Sequence, residues 1–588
     1  MVIPAPRLKF YRRANALVSL VDGAKDAPER LVRASLYLWQ HHCFPSLAPS
    51  RAPWRTCPYI AEQATQDFAQ WLAEQPFDEA AYWLASAYAL WVGKKTRTER
   101  ALFFTPPRLA GRVISNLIAR GASLTDQHWH DPACGGAAFL VPIAQQMAMA
   151  LSKLDVPPRE QLRRIEANLS GNDLDGVLLD ISSSFLEMAL YQLIDETGYR
   201  PSFRLVRGDG LISTVADTLQ PDVIACNPPY RKLKSEEVDR YRLQHGDVIE
   251  GQPNIYGLFI NRTLQLARDG GLVGLLTPTS FLSGRSFAKL RTKLLTRSDT
   301  LQLDMLAGSM FIDVDQETAI TILRTREFQT AVSAHTAVSV LGPEGKFDEI
   351  GEYLLPNSGR PWPIPRAVED AELLRTAEAA NFRLSDYGYI ARVGHLVGYR
   401  DTRPRFDRLP PVGSKRTIVP LVWATDISPN GNFSHGREHR MGRTREYVEV
   451  QSLSAQGVVS KPVVLLQRLT SSDQRSRLVA TDVPRDWIDR HGGFVCENHV
   501  IVVEPTSDES LSPELMAKIL NSRPVDRVFR SISGASNVAV SELNEMPLPD
   551  PRVLHEKMAI YSSIDDAVRH AYQVALSELS QPLSISVR

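Results

Sequence analysis

The residues in this chain best suited to chemistry are Asn227-Pro228-Pro229-Tyr230, entered from Pro221-Asp222-Val223-Ile224-Ala225-Cys226. Val223, Ile224 and Ala225 make a short apolar run that reads as a buried strand, and two prolines stiffen the turn that closes it. Ligands of open α/β sheets sit at the carboxyl ends of strands. Pro229 disfavours the helical conformation at Pro228, so the Pro228 carbonyl is left outside any helix. That carbonyl and the Asn227 side-chain oxygen are two acceptors able to converge on one amino group carrying two hydrogens. Tyr230 sets a π-face beside them. The set suits an exocyclic amine on a flat ring, such as N6 of adenine.

Length and composition bound what surrounds this loop. A chain of 588 residues exceeds one ordinary core, which implies about two to four domains. It is 43% hydrophobic and 23% charged, the balance of a folded protein rather than a disordered one. Formal net charge is +0, so a polyanion has to be met by a local basic patch. Cys43, Cys57, Cys134, Cys226 and Cys496 form no CxxC pair, which points to neither a zinc site nor a disulfide framework and is consistent with a reducing cytoplasm. No apolar run approaches the ~20 residues of a membrane span.

The elements that must position the loop follow in chain order. Residues 1–98 are helical in pattern, with Phe68, Trp71, Leu72, Tyr82, Trp83, Leu84, Tyr88 and Trp91 at helical steps, an aromatic stripe that reads as core. Thr105 before two prolines is a plausible helix N-cap, with Leu109, Val113 and Ile114 on the buried face. Asp131-Pro132-Ala133-Cys134-Gly135-Gly136-Ala137-Ala138-Phe139-Leu140 is a small-residue strand-to-helix turn, where backbone comes close to a ligand. Acidic side chains at the end of a second strand commonly hold ribose hydroxyls; Asp173 in Gly171-Asn172-Asp173-Leu174-Asp175 fits, with Asp175 as alternative or helix cap. Phe203–Arg207 reads as a strand ending at Gly208-Asp209-Gly210.

These strings together resemble the γ class of S-adenosylmethionine-dependent adenine-N6 DNA methyltransferases, in the motif order X, I, II, III, IV, V, VI, VIII over residues 99 to about 330. Asn227–Tyr230 is similar to motif IV, which protein-glutamine methylases share. The resemblance implies a Rossmann-like α/β catalytic domain with a mostly parallel seven-stranded sheet. It implies that Thr105 contacts the methionine end of the cofactor and that Asp131 holds its amine, lined by the backbone of Ala133, Cys134 and Gly135. It further implies that Asp173 takes the ribose hydroxyls, that Asp209 takes the cofactor's adenine amine with Leu258 or Phe259 nearby, and that Asn227 closes the cofactor site. It also implies that Asn227 and Pro228 grip the target amine and that Tyr230 and Phe311 stack on the target base. One departure stands out: Ala137 replaces the family's second glycine, placing a methyl where close cofactor approach is expected. The polar run from Arg231 to Gln244 reads as a loop that orders on DNA, or as a solvated helix.

Residues 331–380, with Gly342-Pro343 and Pro361-Trp362-Pro363, read as a connector. Residues 381–551 are expected to be an α+β target-recognition domain and 552–588 a helical tail. Between 391 and 446 basic residues outnumber acidic ones, with aromatics interleaved, a composition suited to phosphate contact and base readout. Arg400, Arg403, Arg405, Lys415, Arg416, Arg437, Arg440 and Arg443 are the candidate DNA-binding residues. The implied activity is methylation of adenine N6 in double-stranded DNA, as the modification component of a restriction–modification or related defence system. A cognate endonuclease or defence subunits are the implied partners, and no metal is required. A non-catalytic DNA-binding subunit and a protein-glutamine methyltransferase are the alternatives.

Overall fold

The computed structural model describes residues 5–21, 24, 26–47, 58–60, 62–212, 216–306, 317–330, 335–342, 344–356, 359–380, 382–398, 400–409, 416–428, 430–436, 445–470, 475–507, 510–533 and 537–579. The chain divides into two compact units, Met1–Phe281 with Ser286–Gly359, and Leu282–Arg285 with Arg360–Arg588.

The first unit is built on a sheet of strands β1 (Trp129–Asp131), β2 (Leu169–Asp173), β3 (Arg204–Arg207), β4 (Val223–Cys226), β5 (Leu272–Pro278), β6 (Ser298–Leu306), β7 (Thr318–Thr325), β8 (His335–Leu341) and β9 (Phe347–Leu354). Their order is β3-β2-β1-β4-β5-β7-β6-β8-β9. The pairs β2–β3, β1–β2, β1–β4, β4–β5 and β6–β8 are parallel, whereas β7 is antiparallel to β5 and β6, and β9 to β8. The sheet is therefore mostly parallel but nine-stranded, not seven-stranded. The two additional strands come from the stretch expected to be a connector: His335–Leu341 and Phe347–Leu354 extend the sheet beyond β6. Chain order reverses between β1 and β4, which puts the ends of these two strands at the switch point where such sheets bind ligands. Val223 through Cys226 are buried between β1 and β5, which is why an unbroken apolar run was needed there.

The N-terminal helices Ala5–Ala16, Ala27–Cys43, Gln63–Ala73 and Phe77–Trp91 share one core with the sheet and its helices. Phe10 stacks on Trp83 with centroids 4.6 Å apart, and Trp39 meets Phe185 edge-on at 5.9 Å. The aromatic stripe is core, as its spacing predicts. The polar run after Tyr230 is a helix, Ser235–His245, and not a loop: Tyr241 and His245, one turn apart, are its buried residues.

The second unit carries two sheets. One orders Tyr389–Val393, Val500–Pro505, Val464–Gln467 and Ala480–Asp482; the other orders Arg405–Phe406, Tyr447–Val450, Thr417–Val422, Phe494–Cys496 and Val458–Val459. Leu465, Ile488, Phe494 and Val502 fill one apolar cluster, and Leu396, Val419, Val448 and Val495 another. The helical tail expected over 552–588 contains two described helices, Pro551–Ile560 and Ile564–Leu579, separated where Tyr561 turns to extended backbone. Among the described residues no single helix is long and apolar enough to cross a membrane.

Candidate active site

A cavity of about 360 Å³ opens at the ends of β1, β2, β3 and β4. Its wall contains Thr105, Asp131, Ala133, Cys134, Gly135, Asp173, Asp209 and Asn227. The fold thus gathers onto one surface residues separated by more than a hundred positions in sequence. The cavity is also lined by residues 99–104.

The turn after β1 is shaped by backbone demands. Asp131 accepts from the Ala133 N–H at 3.0 Å, the Cys134 N–H donates to the Asn172 carbonyl at 2.8 Å, and the Gly135 N–H donates to Asp173 at 2.9 Å. Gly135 sits in the left-handed region at φ 51, which glycine tolerates without strain. Gly136 is required for a second reason: a Cβ there would lie 2.9 Å from the Ala85 methyl of the helix Phe77–Trp91. Ala137 takes φ 57, a left-handed conformation that glycine adopts more readily than alanine. Its methyl does not line the main cavity. It faces a separate space of about 40 Å³ behind the turn, shared with Asp78, Tyr82 and Ala85.

Burial governs the carboxylates. Asp131 is 2% exposed; desolvation pushes its pKa up to about 8, with the neighbouring Asp173 charge adding to it. The Cys226 thiol, itself raised by burial, donates to Asp131. Desolvation likewise raises Asp173 to about 6, opposed by N–H donors from Asp175 and Gly135. Asp175 caps the helix Gly176–Ala189 through the Val177 N–H at 2.9 Å and pairs with Arg100 at 3.1 Å. Its capping role is the one realised.

Asp209 takes part in a contact that sequence reasoning missed. Its Oδ2 accepts from the Tyr241 hydroxyl at 2.9 Å and pairs with Arg240 at 2.8 Å. Both come from the helix Ser235–His245, which is braced by Arg231 on Glu237 at 2.6 and 2.8 Å. No local pattern marks the contact, since Val238, Tyr241 and Leu243 are scattered through a charged run and Leu243 is exposed. Gly210 is forced beside it, since a Cβ would stand 2.2 Å from the Pro132 carbonyl.

Asn227 lies immediately after β4. Its Nδ2 donates to Thr105 Oγ1 at 2.9 Å, and its Oδ1 accepts from the Tyr230 hydroxyl. That hydroxyl also lies 2.8 Å from the Leu276 carbonyl. Thr105 is therefore not the helix cap expected of it: Pro106 occupies the cap position, without a side-chain cap bond. Tyr230 meets Tyr256 edge-on at 6.1 Å, and Tyr256 stacks on Phe287 at 5.2 Å, a packed aromatic wall. Phe311 lies outside the described residues.

In the second unit, Arg403 grips Asp401 with 2.6 and 3.0 Å bonds, Arg405 donates to the Gly398 and Asp401 carbonyls, and Arg416 stands 3.7 Å from Glu449. Arg400 is exposed and, with Arg403, lines a separate cleft beside His395, Gln451 and Gln456. Lys415, Arg437, Arg440 and Arg443 lie outside the described residues. Among the described residues no group of three or more His, Cys, Asp or Glu is arranged to hold a metal.

A buried, proton-retaining carboxyl at the wall of a cavity this size fits a ligand bearing an ammonium group and a nucleoside, since small-molecule sites commonly span about 300–1,000 Å³. S-adenosylmethionine meets both requirements.

Comparison with known proteins agrees with this geometry. Residues 179–311 match the model of the Eco57I restriction-modification methylase. The chain is 23% identical over 490 residues to the type II methyltransferase M.BsuBI of Bacillus subtilis, covering 78% of this chain and 89% of that protein. It is 24% identical over 395 residues to M.PstI of Providencia stuartii, covering 64% and 70%. Among solved structures, the type IIL restriction-modification enzyme MmeI in complex with DNA aligns at TM-score 0.57 and 11% identity, over 98% of this chain and 97% of that one. The chain is thus similar to DNA methyltransferases of restriction–modification systems, and it shares the fold of MmeI over nearly its whole length.

Proposed function

We propose that the chain methylates N6 of an adenine turned out of double-stranded DNA. The observation that carries this reading is the Asn227 amide at the wall of the cavity that also holds the buried Asp131. Asp131 would hold the cofactor's ammonium, Asp173 and Asp209 its ribose and adenine, and the Ala133–Gly135 backbone its methionine end. When bound, S-adenosylmethionine supplies a methyl group on a sulfonium that is already electrophilic.

The protein's task is then to make a poor nucleophile competent. The N6 lone pair of adenine is delocalised into the ring. Accepting one N–H with Asn227 Oδ1 and the other with the Pro228 carbonyl favours a pyramidal nitrogen. The same two acceptors stabilise positive charge as it grows on that nitrogen, by roughly 1.5–3 kcal/mol for each hydrogen bond to a charged group. Tyr230 and Phe311 would stack on the extruded base, each contributing about 1–3 kcal/mol against an unstacking cost of a few kcal/mol. Holding acceptor and donor in line removes much of the remaining entropic barrier.

On this reading residues 381–551 bind the duplex, with Arg400, Arg403, Arg405 and Arg416 among the contacts, and the protein works in the cytoplasm beside a cognate endonuclease. The test is modification-sensitive sequencing of DNA from a host expressing the wild type or Asn227→Ala. N6-methyladenine at one repeated site in the first and a sharply reduced level in the second is expected. Cytosine methylation, or methylation undiminished by the substitution, rejects the reading.

A further inference from the structure

We propose that the Thr105 hydroxyl couples cofactor occupancy to capture of the target base, by fixing which end of the Asn227 amide faces that base. The proposal rests on the reading of Asn227 as the amine-binding residue.

An asparagine amide has an oxygen that accepts and a nitrogen that donates, and a half-turn exchanges them without changing its shape. In this site its two ends meet two hydroxyls. Nδ2 donates to Thr105 Oγ1 at 2.9 Å, while Oδ1 accepts from Tyr230. The exchanged arrangement is also satisfiable: Thr105 would donate to the oxygen, Nδ2 would donate to Tyr230, and Tyr230 would donate to the Leu276 carbonyl 2.8 Å away. Only the first arrangement turns the oxygen toward the Tyr230 side, where a stacked base would offer its amine.

What separates the two arrangements is the single proton of Thr105. This residue is 3% exposed and lines the cavity. None of the described residues accepts its proton, so the hydroxyl is able to give it in either direction. A carboxylate entering the cavity at this point, such as that of the cofactor's methionine, takes the proton. Thr105 then can only accept from Asn227, and the amide oxygen is held on the target side. When the target amine reaches that oxygen, the Tyr230 hydroxyl turns to the Leu276 carbonyl. No buried polar group is orphaned in the exchange, which otherwise carries a penalty. Thr105 is on this account a positioning residue, acting through Asn227.

The methylated site is first mapped by sequencing host DNA. A duplex bearing that site, with 2-aminopurine at the methylated position, then reports base capture by fluorescence. S-adenosylhomocysteine, which has the same carboxylate, is added to saturation so that a change in its own affinity does not enter. In the wild type it is expected to strengthen capture on the order of tenfold, within the usual range of coupling between sites. Thr105→Ser, which keeps the hydroxyl, should retain that enhancement, and Thr105→Val, which keeps the shape, should lose it. Thr105→Val with full enhancement at saturation overturns the coupling and leaves the Asn227 reading standing. A host in which no methylated site is found overturns that reading, and the coupling with it.

Discussion

The two units use charge in opposite ways. Around the cavity of the first, acidic groups outnumber basic ones along the wall, and desolvation holds Asp131 and Asp173 at raised pKa. In the basic stretch of the second, arginines are many, but Arg392 is paired with Glu504, Arg403 with Asp401, and Arg416 with Glu449. A buried carboxyl without a full cationic partner is costly and signals a ligand; an exposed arginine with a partner does not. A surplus of positive charge counted along a sequence therefore overstates what is available to DNA. A single buried aspartate understates its part in chemistry.

The largest effect that would sharpen this contrast is at the loop after β4. Asn227→Ala is expected to lower methyl transfer roughly ten- to a hundred-fold, from loss of one hydrogen bond made to developing charge. Binding of S-adenosylhomocysteine, read by calorimetry, should change little. Next comes Asp131. Its folded-state pKa of about 8 lies above its ordinary value, so the empty folded protein holds a proton there at pH 7. The contribution of this group to folding stability consequently falls as pH rises from the ordinary carboxylate range toward 8. Binding of an ammonium ligand should ionise Asp131 and release close to one proton at pH 7, with affinity rising nearly tenfold per pH unit below 8. Titrations in buffers of different ionisation enthalpy measure that release, and Asp131→Asn should abolish it. Binding without proton release would break the account of the buried carboxyl.

The first unit was more legible in sequence than the second, for a physical reason. Asp131, Asp173, Asp209 and Asn227 each stand at a strand end, so placing the strands placed them on one cavity. Of these strands β4 is the easiest to read, because Val223–Cys226 is a continuous buried apolar run, whereas β1 and β2 are marked instead by the small and acidic residues that close them. What stayed hidden was set by packing between distant elements. Nothing local to Thr105 announces that it meets Asn227, 122 positions away. Nothing local to Tyr241 announces Asp209, because the run around it is as polar as any solvated helix. β8 and β9 were missed because Gly342 and Pro343 between them read as linker, although the strands on either side pair antiparallel.

A smaller effect probes the second unit. Asp401 is the partner that occupies Arg403. Asp401→Asn should leave that guanidinium to a phosphate and strengthen duplex binding, steepening the slope of log affinity against log salt by about 0.9 for one added contact. An unchanged slope would mean that this ion pair lies away from DNA, and that the basic count of this stretch misled even in its described part.

The smallest effect is expected at Ala137, and its smallness is informative. A non-glycine residue at φ 57 carries strain of roughly 1–2 kcal/mol, which Ala137→Gly would relieve. Glycine in turn adds backbone entropy to the unfolded chain, about 0.5–1 kcal/mol, and gives up the burial of one methyl, about 0.8 kcal/mol. These oppose each other nearly evenly, so the melting temperature should barely move. Because the methyl faces the small rear space shared with Tyr82 and Ala85, cofactor affinity should stay within about threefold, well under the ~1.4 kcal/mol that a tenfold change represents. Ala137→Val should behave differently, since a branched side chain is excluded from this backbone conformation and the turn would have to open. If instead the glycine variant bound S-adenosylhomocysteine tenfold more tightly, the methyl would have to reach the ligand after all, and alanine here would be a compromise rather than an equivalent of glycine.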